Sequence, residues 1–429
     1  GEASVASTLV AKKKRADHRR NPRRPTIVRR HVEQPAGDAE DQELMRMVNH
    51  TLYEGHPVEF LDLVSSIMAG AEEPRGPMGS SEERITLADL AETFEFVDLA
   101  ATTALLHVFA AVSSDDVLVA RIRRTLRERQ QRLPAWVTRL SEVRIEQVVE
   151  MRHVLRDGEN YFLDVRLPDG FAMTAVVYVD NNLGPVVKDG YTIDAPLDAV
   201  LEQARAAVDE DTSLEPVDPA DARALMEAAL EIEAIMFPPM ESESWPACRP
   251  LLRWLVSLLP SGGRVPEETM PSDDELDAIA DGFLASPEGR SFNDPDHAAL
   301  LDVLVSLGAT YDVQDPLRWS PVNVELLLLD RVPRKVVDRV QVLTKLPDLL
   351  RAFIRYAYRL RGLRTELLVE TLESVDRWEP EYQRLIRTPR AQGAEALARM
   401  AMGLPTGLEA HDPWEQLVAA VGGEVELEL

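Results

Sequence analysis

Val148-Val149-Glu150-Met151-Arg152-His153-Val154-Leu155 and Tyr161-Phe162-Leu163-Asp164-Val165-Arg166-Leu167 stand on either side of Asp157-Gly158-Glu159-Asn160, and this stretch decides the fold. The second run alternates with period two, and both runs are rich in β-branched and aromatic residues. Asp-Gly between them has the chemistry of a tight hairpin turn. Two further runs follow, 173–179 after Pro168-Asp169-Gly170 and 186–193 after Asp180-Asn181-Asn182-Leu183-Gly184. Four short β-prone runs separated by turn residues predict an antiparallel meander. A sheet of that kind has an apolar face to cover, and the segments on both sides of it carry helical periodicity.

Working outward, apolar residues recur at helical spacing from about Asp41, and again after Pro57, where Phe60, Leu61, Val64, Ile67 and Met68 share a face. Helices are predicted over 85–96, 97–112 and 115–129, with Ser114 or Asp115 capping the last. Beyond the meander, helices are expected at 197–208, 221–236, 249–258, 272–284 and 294–307. Ser320-Pro321 reads as an N-cap followed by an N1 proline, and Gly362 as the C-cap of a helix over 349–361. Two separate helices are expected at about 363–377 and 380–387. The fold class is therefore α+β, mainly α, with helical regions flanking a small central antiparallel β-meander. The expected organisation is a disordered basic tail over 1–40 and a helical region over 41–142. The meander plus a helix occupies 143–210, and a helical region with loops 211–310. A C-terminal helical region with an Arg-rich face covers 311–389, and an irregular acidic segment 390–429.

Composition narrows the function classes. The 429 residues carry 74 Asp and Glu against 47 Lys and Arg, a net charge of −27, which disfavours whole-surface contact with nucleic acid. A lone cysteine, Cys248, excludes an intramolecular disulfide and fits a reducing compartment. No apolar run approaches the ~18 residues that span a bilayer, so the expectation is a cytoplasmic protein with no membrane partner.

Several stretches together resemble a family of actinobacterial proteins for which no activity is established. They are residues 56–66 (HPVEFLDLVSS), Leu133-Pro134-Ala135-Trp136, Tyr178-Val179-Asp180-Asn181-Asn182-Leu183-Gly184 with Lys188-Asp189, and Trp319-Ser320-Pro321 with Pro333-Arg334-Lys335. The resemblance implies no catalytic or binding residue.

Signatures of chemistry are missing. The eight histidines form no CxxC- or HExxH-like arrangement; His50 and His56, with Glu54 and Glu59 nearby, are the closest pair. No GxxxxGK[ST] or GxGxxG occurs, and GxSxG is absent as well. No catalytic residue, metal ligand or cofactor is therefore expected.

What remains is an uneven distribution of positive charge. Residues 12–31 hold ten Lys or Arg against Asp17, residues 121–132 six Arg against Glu128, and residues 331–364 ten against Asp338 and Asp348. The tail residues Lys12, Lys13, Lys14, Arg15, Arg19, Arg20, Arg23 and Arg24 suit phosphate contact, with salt-sensitive affinity. The 121–132 island suits the negative end of a helix dipole. In the last island Arg351, Arg355 and Arg359 recur every four residues, opposite Leu350, Phe353, Ile354 and Ala357. Arg334, Lys335 and Arg339 precede them. These residues are the candidate anion- or partner-binding positions, unless the chain's own carboxylates neutralise them. The expected function is a non-catalytic binding or adaptor protein for a protein partner. The alternatives are a nucleic-acid- or ribosome-associated factor using the tail and the Arg stripe, and an enzyme with a motif-free site.

Overall fold

The computed structural model describes residues 36–72, 85–182, 184–236, 239, 241–265, 270–311, 314–336 and 338–388. The chain divides into two compact units, Gly1–Glu267 and Glu268–Leu429.

Among the described residues of the first unit, α1 (Ala36–Tyr53), α2 (Pro57–Gly70), α3 (Leu87–Phe96), α4 (Ala100–Val112) and α5 (Asp116–Glu128) come before the sheet. A short α6 (Ala135–Thr138) leads into β1 (Arg144–His153), β2 (Gly158–Arg166), β3 (Ala172–Asp180) and β4 (Val186–Ile193). Then come α7 (Leu197–Ala207), β5 (Thr212–Val217), α8 (Pro219–Ile235) and α9 (Trp245–Ser257). The four expected strands pair in sequence as an antiparallel meander, and the fold is mainly α with helices flanking the sheet.

The fifth strand is a correction. Thr212–Val217 pairs antiparallel with β1, giving the order β4-β3-β2-β1-β5. Its sequence, TSLEPV, hides the strand, because Glu215 and Pro216 are poor strand formers and half of its residues are exposed. Pro216 sits opposite Val149 on the outermost strand, where a missing N–H need break no ladder bond.

Both faces of the sheet are covered. Val148, Tyr161, Leu163, Val165, Ala175, Val177 and Val187 join the large core shared with α2, α4, α8 and α9. Val149, Phe162 and Val176 point the other way, against Leu197, Val200 and Leu201 of α7. This explains the nearly continuous apolar run of β3, since a strand buried on both sides does not alternate.

α2 and α9 lock together through one hydroxyl. Pro250 lies inside α9, and Ser65 of α2 inserts beside it: its Oγ donates to the Ala247 carbonyl at 2.6 Å and accepts the Leu251 N–H at 3.1 Å. That donor and acceptor are i and i−4 in α9, so the serine stands within the helix ladder.

The second unit contains α10 (Asp273–Ala285), α11 (Pro295–Tyr311), α12 (Pro321–Leu326), α13 (Val332–Lys335), α14 (Val340–Leu343), α15 (Leu346–Arg361) and α16 (Thr365–Leu385). A π turn, Leu327–Arg331, joins α12 to α13. Ser320 caps α12 by accepting from the Asn323 N–H, and Gly362 ends α15 at φ +62°, as the sequence predicts. The two helices expected beyond residue 363 are one. α16 continues through Pro380, because its second half is held from outside. Tyr382 is fully buried and donates to the Leu343 carbonyl at 2.8 Å, and Gln383 donates to that of Thr344.

Asp62 of α2 faces the sheet, accepting from Thr192 Oγ of β4 at 2.7 and 2.8 Å. Burial raises its pKa from 3.8 to about 6, with the threonine bond opposing. The folded state therefore binds this proton more tightly than the unfolded chain. The resulting stability is complete below pH 4 and is lost as pH rises through 6. Asp62→Asn should gain on the parent by up to about 3 kcal/mol between those limits. The difference in Tm between variant and parent should accordingly grow from pH 4.5 to pH 7.5. A difference independent of pH would show that Asp62 does not carry the proton.

Candidate partner-binding surface

Asp115 starts α5 by accepting the N–H groups of Val117 and Leu118, so the helix begins where the sequence places it. Leu118, Val119 and Ile122 form its buried stripe, which leaves Val117, Ala120, Arg123, Arg124 and Arg127 facing outward. The arginine island therefore splits into two kinds of residue.

Arg121 and Arg129 point inward. Arg121 donates to the Ala88 carbonyl at 2.8 Å and lies 3.4 Å from Glu95. The Arg129 side chain is only 5% exposed. It donates to the carbonyls of Phe94 and Glu95 at 2.7 and 3.0 Å, and to the hydroxyls of Thr103 and Thr102 at 2.9 and 3.3 Å. Those carbonyls close α3, where backbone acceptors have no intrahelical partner. One guanidinium thus clamps the end of α3 to the start of α4 and holds the corner between them. Gln131 adds bonds from Nε2 to the carbonyl and carboxylate of Asp98.

Arg123, Arg124, Arg127 and Arg132 point outward and are exposed, and among the described residues no carboxylate forms an ion pair with them. Glu128 lies four residues after Arg124, the less favourable order for a helical pair. Other described cations without an ion pair, such as Arg205, Arg264 and Arg355, occur singly.

The Arg stripe of the second unit is different. Arg351 donates to Asp376 at 2.6 Å, to Asp348 at 3.1 Å and to Glu379. Arg359 makes a two-pronged contact with Glu288 at 2.9 and 3.1 Å, and that bond depresses the Glu288 carboxyl to about 2. Arg334 pairs with Asp330 at 2.7 Å and Arg339 with Asp296 at 3.1 Å. Lys335 is exposed at the end of α13. Arg355 alone of the three stripe residues pairs with no carboxylate among the described residues. It lines a cleft of about 640 Å³ with Lys345, Arg351, His297, Phe292 and Glu288. Lys345 there is committed to Asp296 at 2.8 Å. The tail candidates, from Lys12 to Arg24, lie outside the described residues.

The groups that invite a catalytic or metal reading have structural employment. His56 caps α2 by accepting the Val58 N–H, and His50 pairs with Glu54. His153, Asp209 and Asp211 bring ligand atoms within 4.8 Å of one another. His153 Nδ1, however, accepts the Leu155 N–H, which puts the proton of the neutral ring on Nε2, towards Asp209 at 4.0 Å. Asp209 itself accepts from Asp211 N and Thr212 Oγ, a local turn. Burial raises Glu159, yet this carboxylate accepts from Asn181 Nδ2 at 2.5 Å in a network where Arg152 joins it to Glu150 and Tyr161. Cys248 packs against the main core.

No family model, curated protein or solved structure matches the chain, so the roles of these residues rest on their geometry.

Arg351 and Arg355 share a face and differ in their surroundings, which separates a structural cation from an uncommitted one. Arg351→Ala strands three carboxylates and should cost about 1–2 kcal/mol, whereas Arg355→Ala should stay within about 0.5 kcal/mol. Thermal unfolding of both variants in low and high salt checks this. Equal losses would mean that the ion pairs of Arg351 contribute nothing.

Proposed function

We propose that this chain acts by binding, without chemistry of its own, and that it takes an acidic protein surface on the outward arginine face of α5. The observation that carries this reading is the set of four exposed arginines within ten residues, Arg123, Arg124, Arg127 and Arg132, with which no carboxylate among the described residues pairs, in a chain whose net charge is −27. Carboxylates are abundant everywhere else, and they have captured most of the stripe in the second unit. A face that remains uncaptured is open to carboxylates from outside. The guanidinium fork suits two-pronged carboxylate contact, and the helix beneath it is anchored by buried Leu118, Val119 and Ile122.

The test is an anisotropy titration of labelled poly-L-glutamate with the full chain, at salt from 20 to 300 mM, with a 20-nucleotide RNA as comparator. Binding should weaken with salt, and Arg123/Arg124/Arg127→Ala should weaken it about tenfold, at roughly 0.5 kcal/mol per exposed contact. Arg355→Ala should leave it unchanged. Tighter binding of RNA that survives the triple substitution and disappears on removing residues 1–32 would overturn this reading in favour of nucleic acid held by the tail. No binding at any salt would overturn it outright.

A further inference from the structure

The corner that Arg129 clamps carries the most exposed aromatic side chain near the arginine face. Phe96 is 82% exposed, and Val97 and Leu99 beside it are 42% and 51% exposed. Tyr53 of α1, 51% exposed, reaches the same neighbourhood, since its hydroxyl donates to the Arg132 carbonyl at 3.2 Å. Gln131, bonded to Asp98 between Val97 and Leu99, joins the corner directly to Arg132. The corner's own carboxylates are occupied, Glu95 lying 3.4 Å from Arg121 and Asp98 3.7 Å from Arg129. The backbone of Arg132 thus stands beside this apolar corner, and the exposed arginines of α5 lie on the helix that packs against α3.

Resting on the reading above, we infer that the occupant of this surface is an amphipathic acidic segment of a partner protein. Its apolar side chains seat on Phe96, Val97 and Leu99, and its Asp and Glu residues meet Arg124, Arg127 and Arg132. Three arguments favour that chemistry. Solvent-exposed Phe, Leu and Val grouped together mark an interaction site, and Phe, Tyr and Arg are the side chains enriched at protein interfaces. Val97 and Leu99 offer no ring for a base to stack on, so a nucleic-acid strand would leave them uncovered. The corner is also held before any partner arrives. Arg129 has four hydrogen bonds across it, and Thr102 Oγ accepts the Leu99 N–H and donates to the Val97 carbonyl. A partner therefore has little ordering to impose there, which preserves affinity.

The experiment uses the full chain and two labelled 16-residue peptides of equal net charge, one alternating Leu or Phe with Glu and one with Glu among Ser and Gly. The amphipathic peptide should bind about tenfold or more tightly than the polar one, the scale of burying one large apolar side chain. Phe96→Ala and Phe96→Ser should abolish that advantage while leaving the polar peptide unaffected. Arg124/Arg127→Ala should weaken both. Because Phe96 stands in solvent, its variants should keep the parent's Tm, and this is measured alongside. Equal binding of the two peptides, still sensitive to the arginine substitutions, would sink the inference and leave the arginine face standing. A single-stranded RNA that binds and is lost on Phe96→Ala would replace the peptide with a stacked nucleic acid. Failure of both peptides would remove the face and the corner together.

Discussion

An excess of carboxylates is the constraint under which every cation of this chain is placed. With 74 acids to 47 bases, an exposed Arg or Lys meets an Asp or Glu unless the fold keeps them apart. Surface ion pairs made this way add little stability, about 0–1 kcal/mol each. Their effect is to cancel fields. The second unit shows the rule, with Arg351 shared among Asp348, Asp376 and Glu379 and Arg359 held by Glu288. α5 shows the exception. Its outer turns are short of acids, and Glu95 of α3 and Asp98 of the α3–α4 connection go to the two arginines that point inward. The exception is a property of packing as much as of composition.

Much of the fold was legible because it is written in local rules. Period-two alternation announced the first hairpin, although its turn falls at 154–157, with Arg156 at positive φ, and Gly158, Glu159 and Asn160 already belong to β2. Asp115, Ser320 and Gly362 marked helix ends through their capping chemistry. What could not be read was whatever tertiary contact decides. β5 is a strand because β1 offers it an open edge, although its own residues, Glu215 and Pro216 among them, argue otherwise. α16 survives Pro380 because Tyr382 and Gln383 are bonded to the backbone at Leu343 and Thr344. Both are cases of packing overriding propensity.

The candidate surface was legible in part, and for the same reason. Spacing shows that Arg351, Arg355 and Arg359 share a face; it cannot show that Glu288 and Glu379 arrive from elsewhere in the unit to neutralise two of them. In α5 the apolar stripe of Leu118, Val119 and Ile122 sets which arginines face out, and that is readable from the sequence. The inward course of Arg129 is not, since its acceptors lie more than 25 residues away. Six arginines in twelve positions look alike as text, and their two roles separate only once α3 and α4 are packed against the helix.

That separation ties the scaffold to the surface. Arg129 closes the carbonyls of α3 and the hydroxyls at the start of α4, and by doing so presents Phe96, Val97 and Leu99 as a held corner instead of a frayed helix end. On the proposed reading, the outward arginines of the same unit set the sign of what that corner accepts. The acidic remainder of the chain opposes every anionic partner over long range, so an acidic segment is held only where local arginine and apolar contacts outweigh that repulsion. On that proposal, repulsion and local fit together select the partner, and both follow from where the carboxylates of this chain could and could not reach.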